Sequence, residues 1–428
     1  MFQLSLMRCL MSIFRLLLVP VCLLQLTGCQ LYEYAALQLN NQMVEPVWKT
    51  SDQQSTVPLS LLHNLPMVAL EVNGKPMRFV VDTGASSSVM LETAATRDLR
   101  LNQVGELSIS GAGEGFDSVA HVVDGVTIQV GTVQLEDLRL VYIPFSQIAL
   151  FDHPDEVFFD GILGIDVLKK FAVKFDYDEM SFQLAAAGLP FATDGWYESK
   201  LDFVGATPFI QLEVQYTEDA SPVLMDLLVD TGSSEYLALS VNPEKSITLP
   251  ASYVPGTGVG VTGEITSRIT TLEYLEIGNQ QMSLLPVSLT VSGDPSDSKD
   301  GVLGNQTLSR FNQVYDFEKN RVWLQANQKM NQPTVLDRTG LGLFPHPMGA
   351  IVKRILSGSA AANHGLIPGD IITSIDGIDV SRTNYDQLRH GMNDPDRATA
   401  SLCWERKGDN QCESLTLCVP LVTELSLR

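Results

Sequence analysis

The tripeptide Asp-Thr-Gly occurs twice in this 428-residue chain, at Asp82-Thr83-Gly84 and at Asp230-Thr231-Gly232. Each copy closes an apolar run, Phe79-Val80-Val81 in one case and Leu227-Leu228-Val229 in the other. Each is followed much later by Asp-Gly and an apolar-apolar-Gly stretch, Asp160-Gly161-Ile162-Leu163-Gly164 and Asp300-Gly301-Val302-Leu303-Gly304. A single Asp and Gly after a strand is an ordinary turn. Two copies in matching surroundings supply two carboxylates that a fold can bring face to face. Such a pair shares one proton, so one member can activate water while the other donates to a carbonyl oxygen. That is the chemistry of splitting a peptide bond with water.

The elements that must position these residues repeat as well. Pro66 and Leu70-Glu71-Val72 correspond to Pro208 and Leu212-Glu213-Val214 at an offset of 142. The aspartates are 148 apart, which places a longer hairpin near Tyr216 to Val223 in the second copy. From Gly164 and Gly304 onward the offset is 140, matching Phe171 with Phe311, Asp176 with Asp316 and Leu184 with Leu324. A period this long is that of a domain, not of a solenoid unit.

Each repeat resembles a retropepsin-type aspartic protease unit, and the tandem resembles the two-lobed pepsin arrangement, over residues 58–328. The resemblance implies one catalytic dyad, Asp82 with Asp230, on a local twofold axis. It implies that Thr83 and Thr231 bond across that axis, and that Gly84 and Gly232 permit a tight turn and close backbone approach. The residue after Gly is Ala85 in one copy and Ser233 in the other. Only Ser233 offers a side-chain hydrogen bond to its own Asp, so the two carboxylates are expected to be unequal. Intact Asp-Thr-Gly in both copies argues against the alternative of a non-catalytic binding protein that keeps the fold. A further alternative pairs each repeat with its own copy in a second chain, and the short connection from Ala185 to Lys200 favours pairing within one chain.

A peptidase of this kind needs a mobile cover over its cleft. The candidates are Gly111, Gly113 and Gly115 after the first Asp, and Gly256, Gly258 and Gly260 after the second. Alternating glycines also occur in phosphate cradles, but no strand-loop-helix context with a following Lys is present. Tyr253 is the nearest candidate for a flap tyrosine.

The N-terminus begins with Arg8 and Arg15 and an apolar run from Leu16 to Leu24, too short for a permanent membrane span. It ends in Leu26-Thr27-Gly28-Cys29, which resembles a bacterial lipoprotein processing box. Residues 1–28 are therefore expected to be a signal peptide, with Met11 as an alternative start, and Cys29 the lipidated residue. An ordinary signal peptide with a chance Cys is the other reading. The implied location is the bacterial periplasm, lipid-anchored to a membrane, with the outer membrane expected. Residues 29–57, with Asn40-Asn41-Gln42 and Ser51 to Thr56, read as a polar tether reaching about 90 Å when extended.

The formal net charge of −22 leaves no basic cluster to neutralise phosphates, so nucleic acid is not an expected partner. The six His are scattered without metal-ligand spacing, and neither a metal nor a cofactor is expected.

Beyond lobe 1 (58–186), a linker (187–200), lobe 2 (201–328) and a second linker (329–338), residues 339–428 resemble a PDZ domain. The signals are Gly340-Leu341-Gly342-Leu343, Ser359-Ala360-Ala361 and Gly365-Leu366-Ile367-Pro368-Gly369-Asp370. The resemblance implies that amides near Leu341 to Leu343 bind a peptide carboxylate, beside a helix at about Asn384 to Gly391. The adjoining strand would pair with an extended peptide. The alternative is a domain that only packs on the core. Its removal is expected to leave hydrolysis of short peptides nearly unchanged. Cys403, Cys412 and Cys418 fall here, and an oxidising compartment permits a disulfide, with Cys403 and Cys412 across the Lys407-Gly408 turn as one option. The expected fold is mainly β: two acid-protease lobes of six to seven strands in a pseudo-twofold bilobal unit, then a small α+β PDZ domain. The expected partners are protein or peptide substrates, peptide C-termini or strands, and the membrane through its lipid.

Overall fold

The computed structural model describes residues 32–109, 118–148, 151–188, 191–251, 253–260, 263–290, 299–334, 337–394 and 396–417. Strands dominate, as the short apolar runs demand. Gln54–Leu62 shows the reason, with Val57 and Leu59 turned inward while Thr56, Pro58 and Ser60 face out. The runs that precede each Asp are buried throughout because other layers cover both faces.

The two repeats fold alike. Lys75–Val81 lies parallel to Gly161–Leu163 with Val81 opposite Leu163. Val223–Asp230 lies parallel to Gly301–Gly304 with Val229 opposite Leu303. The closing strands of the repeats meet: Phe171–Asp176 runs antiparallel to Phe311–Asp316, and Lys174 pairs with Val314. Those two residues are equivalents under the 140-residue offset, so the local twofold axis passes through this pair.

The strand numbers differ from the six to seven expected per lobe. One 14-stranded sheet runs from Tyr197–Lys200 and Arg321–Ala326, through the central strands, into the first repeat, and the second repeat has a 10-stranded sheet of its own. The cause is the long strand Gln54–Leu62, which pairs with Ser181–Ala186 at its start and with Leu65–Val72 at its end. It joins two sheets that separate lobes would keep apart.

Residues 32–57 are not an extended tether. A helix covers residues 32–43, a short strand follows at Val47–Trp48, and a long one starts at Gln54. Leu37 and, one turn on, Asn41 have no solvent exposure. Asn41 pairs with both backbone groups of Arg139, Nδ2 to O and Oδ1 from N, each at 2.8 Å. Polar residues that read as solvated are here used as buried hydrogen-bonding groups. The linkers are equally ordered where described. Tyr197–Lys200 is an edge strand on Arg321–Ala326, and the Arg310 guanidinium donates to the carbonyls of Met330 and Gln332.

The third unit is a six-stranded sheet with helices Ala360–Asn363 and Tyr385–Met392. Cys403 and Cys412 sit opposite each other on adjacent strands and form a disulfide, while Cys418 lies outside the described residues. This unit is not a detachable appendage. Leu343, Ala350 and Trp404 belong to one buried cluster with Leu62, Leu65, Met67 and Phe158 of the first repeat. Lys353 reaches Glu156 at 2.6 Å across the same junction.

Candidate active site

Asp82 and Asp230 stand at the ends of their strands, where each chain turns sharply. Both turns wrap a carboxylate in the same way. Asp82 Oδ1 accepts from the N–H of Gly84 at 2.7 Å and of Ala85 at 3.0 Å. Asp230 Oδ1 accepts from Gly232 at 2.8 Å and Ser233 at 3.0 Å. Each glycine faces the opposite aspartate: a Cβ on Gly84 would stand 2.6 Å from Asp230 Cγ, and one on Gly232 would strike the Asp82 carboxylate. Any side chain at either position would force the two carboxylates apart.

The threonines lock this arrangement. Thr83 Oγ1 donates to Val229 O at 2.6 Å and accepts from Thr231 N–H at 3.1 Å. Thr231 Oγ1 donates to Val81 O at 2.7 Å and accepts from Thr83 N–H at 3.0 Å. Both are fully buried. The four bonds are intramolecular, so one chain supplies both halves of the site.

The electrostatics follow from this packing. Burial raises both carboxyls above the ordinary range. Asp230 lies well above it, because the Asp82 charge and its hydrogen bond to Asp82 act in the same direction. For Asp82 the rise from burial is opposed by donors, chiefly the Gly84 N–H and then Asp230 itself. Two enclosed carboxyls this close titrate as a pair and not as separate groups. The side-chain bond expected from Ser233 to Asp230 is not formed among the described residues. Ser233 meets Asp230 through its main-chain N–H, just as Ala85 meets Asp82. Its hydroxyl lies on the other side of the turn, beside Gly304.

The structure adds supporting residues that the motif reading passed over. Asp166, fully buried after Gly164, accepts from Ser88 N–H at 2.8 Å, Ser88 Oγ at 2.7 Å and Asn41 Nδ2 at 2.9 Å. It fixes the strand entry just beyond the Asp82 turn. Gln38 Nε2 reaches Ser87 Oγ at 2.9 Å from the same N-terminal helix. In the second repeat Asn305 N–H donates to Ser233 O at 2.7 Å and Thr307 Oγ1 to Tyr236 O at 2.9 Å. The visible signal was the departure of Ile165-Asp166 from Asn305-Gln306 in otherwise matching segments.

The glycine-rich covers are placed in part. Gly111, Gly113 and Gly115 lie outside the described residues. Gly256, Gly258 and Gly260 lie on Val254–Gly260, one leg of an antiparallel hairpin closed through Gly260 opposite Gly263. Tyr253 precedes that leg, at the hairpin base, with the Arg268 guanidinium 4.8 Å from its ring centroid.

The aspartyl protease family model matches residues 68–167, and the PDZ domain model matches residues 351–390. The chain carries an aspartyl protease domain and a PDZ domain. An aspartic proteinase from Irpex lacteus is similar to this chain at 16% sequence identity, over 65% of this chain and 99% of that one, with a TM-score of 0.41. No curated protein sequence matches the chain significantly.

At the PDZ domain, the loop residues Gly340, Leu341, Gly342 and Leu343 enter the edge strand Leu341–His346. The helix expected at about Asn384 to Gly391 is Tyr385–Met392. Two of the donors that the loop was expected to offer a peptide are already engaged. Gly340 N–H binds the Asp337 carboxylate at 3.0 Å, and Leu341 N–H binds Thr339 Oγ1 at 3.1 Å.

Proposed function

We propose that this protein is an aspartic endopeptidase that hydrolyses peptide bonds with a water activated between Asp82 and Asp230. The observation that carries this reading is the pair of carboxylates held against each other by four cross-lobe threonine bonds. Asp82, the ionised member, takes a proton from the water as it attacks the scissile carbonyl. Asp230, holding the shared proton, donates to the carbonyl oxygen as it becomes tetrahedral. The hairpin formed by Val254–Gly260 and Gly263–Thr271 is suited to cover the cleft.

Asp82→Asn and Asp230→Asn test the reading on a short fluorogenic peptide and an unstructured protein. Each variant is expected to fall below a few per cent of wild-type activity, and the double variant to lose little more, because the two act as one unit. A single variant that keeps substantial activity would show that no shared dyad operates.

We further propose lipid attachment at Cys29 and a periplasmic, membrane-held enzyme. The first described residue of the helix over 32–43 is three residues beyond Cys29. A lipid there would hold the catalytic body within about 10 Å of the membrane surface, not on a long leash.

A further inference from the structure

Of the thirteen large apolar side chains exposed among the described residues, five fall between Tyr32 and Val47. Single exposed apolar side chains are ordinary on a protein surface, so it is the clustering that needs a physical cause. The helix over 32–43 carries most of it. Tyr32, Ala35, Leu39 and Met43 are all exposed, and successive members are three, four and four residues apart, the spacing of one helical face. Tyr32 is 70%, Leu39 60% and Met43 75% exposed, so no described residue covers this face.

The opposite side of the helix is engaged. Leu37 and Asn41 are buried, Asn40 Nδ2 donates to Asp137 O at 2.8 Å, and Gln38 Nε2 donates to Ser87 Oγ at 2.9 Å. The Glu33 carboxylate lies against Gly105. The helix is therefore fixed on the first lobe, and its outer face points in one direction relative to that lobe. Position and charge identify what the face meets. Two residues, Gln30 and Leu31, separate Cys29 from Tyr32, so the reach between them is about 10 Å at roughly 3.3 Å per residue. If Cys29 carries lipid, the reading on which this part rests, Tyr32 is confined close to the polar interface of the bilayer. Twelve helical residues span about 18 Å at 1.5 Å each, so a face running from Tyr32 to Met43 meets the bilayer along its length only by lying flat. The face is uncharged, and no Lys or Arg occurs between Gln30 and Trp48. Attraction to anionic headgroups is thus absent, and the formal net charge of −22 opposes both an anionic surface and a second copy of this chain. What remains is burial of apolar side chains among uncharged lipid, with a tyrosine at the end nearest the anchor, where an amphipathic ring suits the interface.

We propose that the outer face of this helix lies in the membrane interface, with Tyr32, Leu39 and Met43 among the lipids, and so fixes the orientation of the protein on the bilayer. The lipid at Cys29 supplies attachment and the helix supplies direction. Three large apolar side chains on one short helix bind reversibly, too weakly to retain the protein on washed membranes without the lipid. The same helix touches the segment beyond the Asp82 turn, through Gln38 at Ser87 and Asn41 at Asp166. That segment is therefore held about one helix diameter, roughly 10 Å, from the lipid.

The test uses the expected mature chain, residues 29–428, with Cys29→Ser so that no lipid anchors it, and phosphatidylcholine vesicles brominated along their acyl chains. Leu39→Trp adds an indole to the face, and the vesicles should quench its added fluorescence. Val204→Trp, at an exposed apolar position of the second repeat, should stay unquenched. Partition onto the vesicles should be the same at low and high salt, because no charge pair drives it. Leu39→Ser and Met43→Ser should each weaken partition about tenfold, and thermal melts establish that each variant is folded. Equal quenching at the two positions, no partition at all, or partition unchanged in the folded serine variants would overturn the proposal. So would a dimer in sedimentation that Leu39→Ser dissociates, since a second copy would then cover the face. Fatty-acid label entering Cys29 of the wild type, with no quenching in Leu39→Trp, would overturn the helix face and leave the lipid reading standing. Quenching in Leu39→Trp without label at Cys29 would support the helix face and overturn the lipid reading.

Discussion

Replacing Asn41 by Ala distinguishes a docked N-terminal helix from a loose tether. The side chain is fully buried and makes four hydrogen bonds, two to the backbone of Arg139, one to Asp166 and a long one at 3.4 Å from Asn40 Nδ2. Its removal strands the Arg139 N–H, the Arg139 carbonyl and one Asp166 oxygen. An unsatisfied buried group costs about 1–3 kcal/mol. The lower end applies here, because the other Asp166 oxygen keeps its Ser88 and Val167 donors. The expected loss is about 3 kcal/mol, a large share of the roughly 5–15 kcal/mol that holds a native protein together. Hydrogen exchange read by mass spectrometry follows it locally. The Arg139 and Ser88 amides should exchange about a hundredfold faster in the variant, since about 1.4 kcal/mol is tenfold. Burial raises the Asp166 carboxyl and the Asn41 donor opposes that rise, so the variant should titrate higher still. Peptide hydrolysis should weaken with it, because Asp166 steadies the segment beyond the Asp82 turn. Exchange within threefold of wild type at both amides would refute the reasoning and return residues 32–43 to the status of a tether.

Three further outcomes follow from the same structure. Asp230→Asn should be more stable than wild type at pH 7. The Asp230 carboxyl is raised in the folded state, so the stability it provides is complete below its unfolded value of about 3.9 and is lost as pH rises through the folded value. The gap between variant and wild type, read from urea unfolding, should therefore close on acidification, and a gap that widens would contradict the shared proton. Removing residues 338–428 should leave an aggregating or inactive remnant, because Leu62, Leu65, Met67 and Phe158 lose their cover. A soluble remnant with full short-peptide activity would show the PDZ domain to be dispensable. Cys29→Ser should release the protein from membranes and abolish incorporation of labelled fatty acid, and label retained in the variant would exclude lipidation at that residue.

Much of this protein was legible from local pattern. Asp82-Thr83-Gly84 and Asp230-Thr231-Gly232 announced two equivalent turns, because tight turns and short buried strands are encoded by adjacent residues. The constant offset of 140 beyond Gly164 and Gly304 matched Phe171 with Phe311 and Asp176 with Asp316 as equivalents, and the structure then paired these strands with each other. The PDZ helix and strands were readable for the same reason, from Gly, Pro and apolar spacing over a few residues. What escaped were partnerships between residues far apart in the chain. Asn41 looks like any solvated polar residue, and only packing against Arg139 and Asp166, about a hundred residues away, makes it part of the interior. The Ser233 side chain was expected at Asp230, but the direction a turn aims its hydroxyl is decided by the backbone around it. Whether Gly340 to Leu343 lie open to a peptide was beyond the motif as well, since Asp337, Thr339, Tyr385 and His63 converge there from three separate segments. Sequence specifies which groups can form a turn or a strand, because those interactions are local. Which buried polar group finds which partner, and which surface a neighbouring domain covers, is settled only when the whole chain packs and every enclosed donor and acceptor must be satisfied at once.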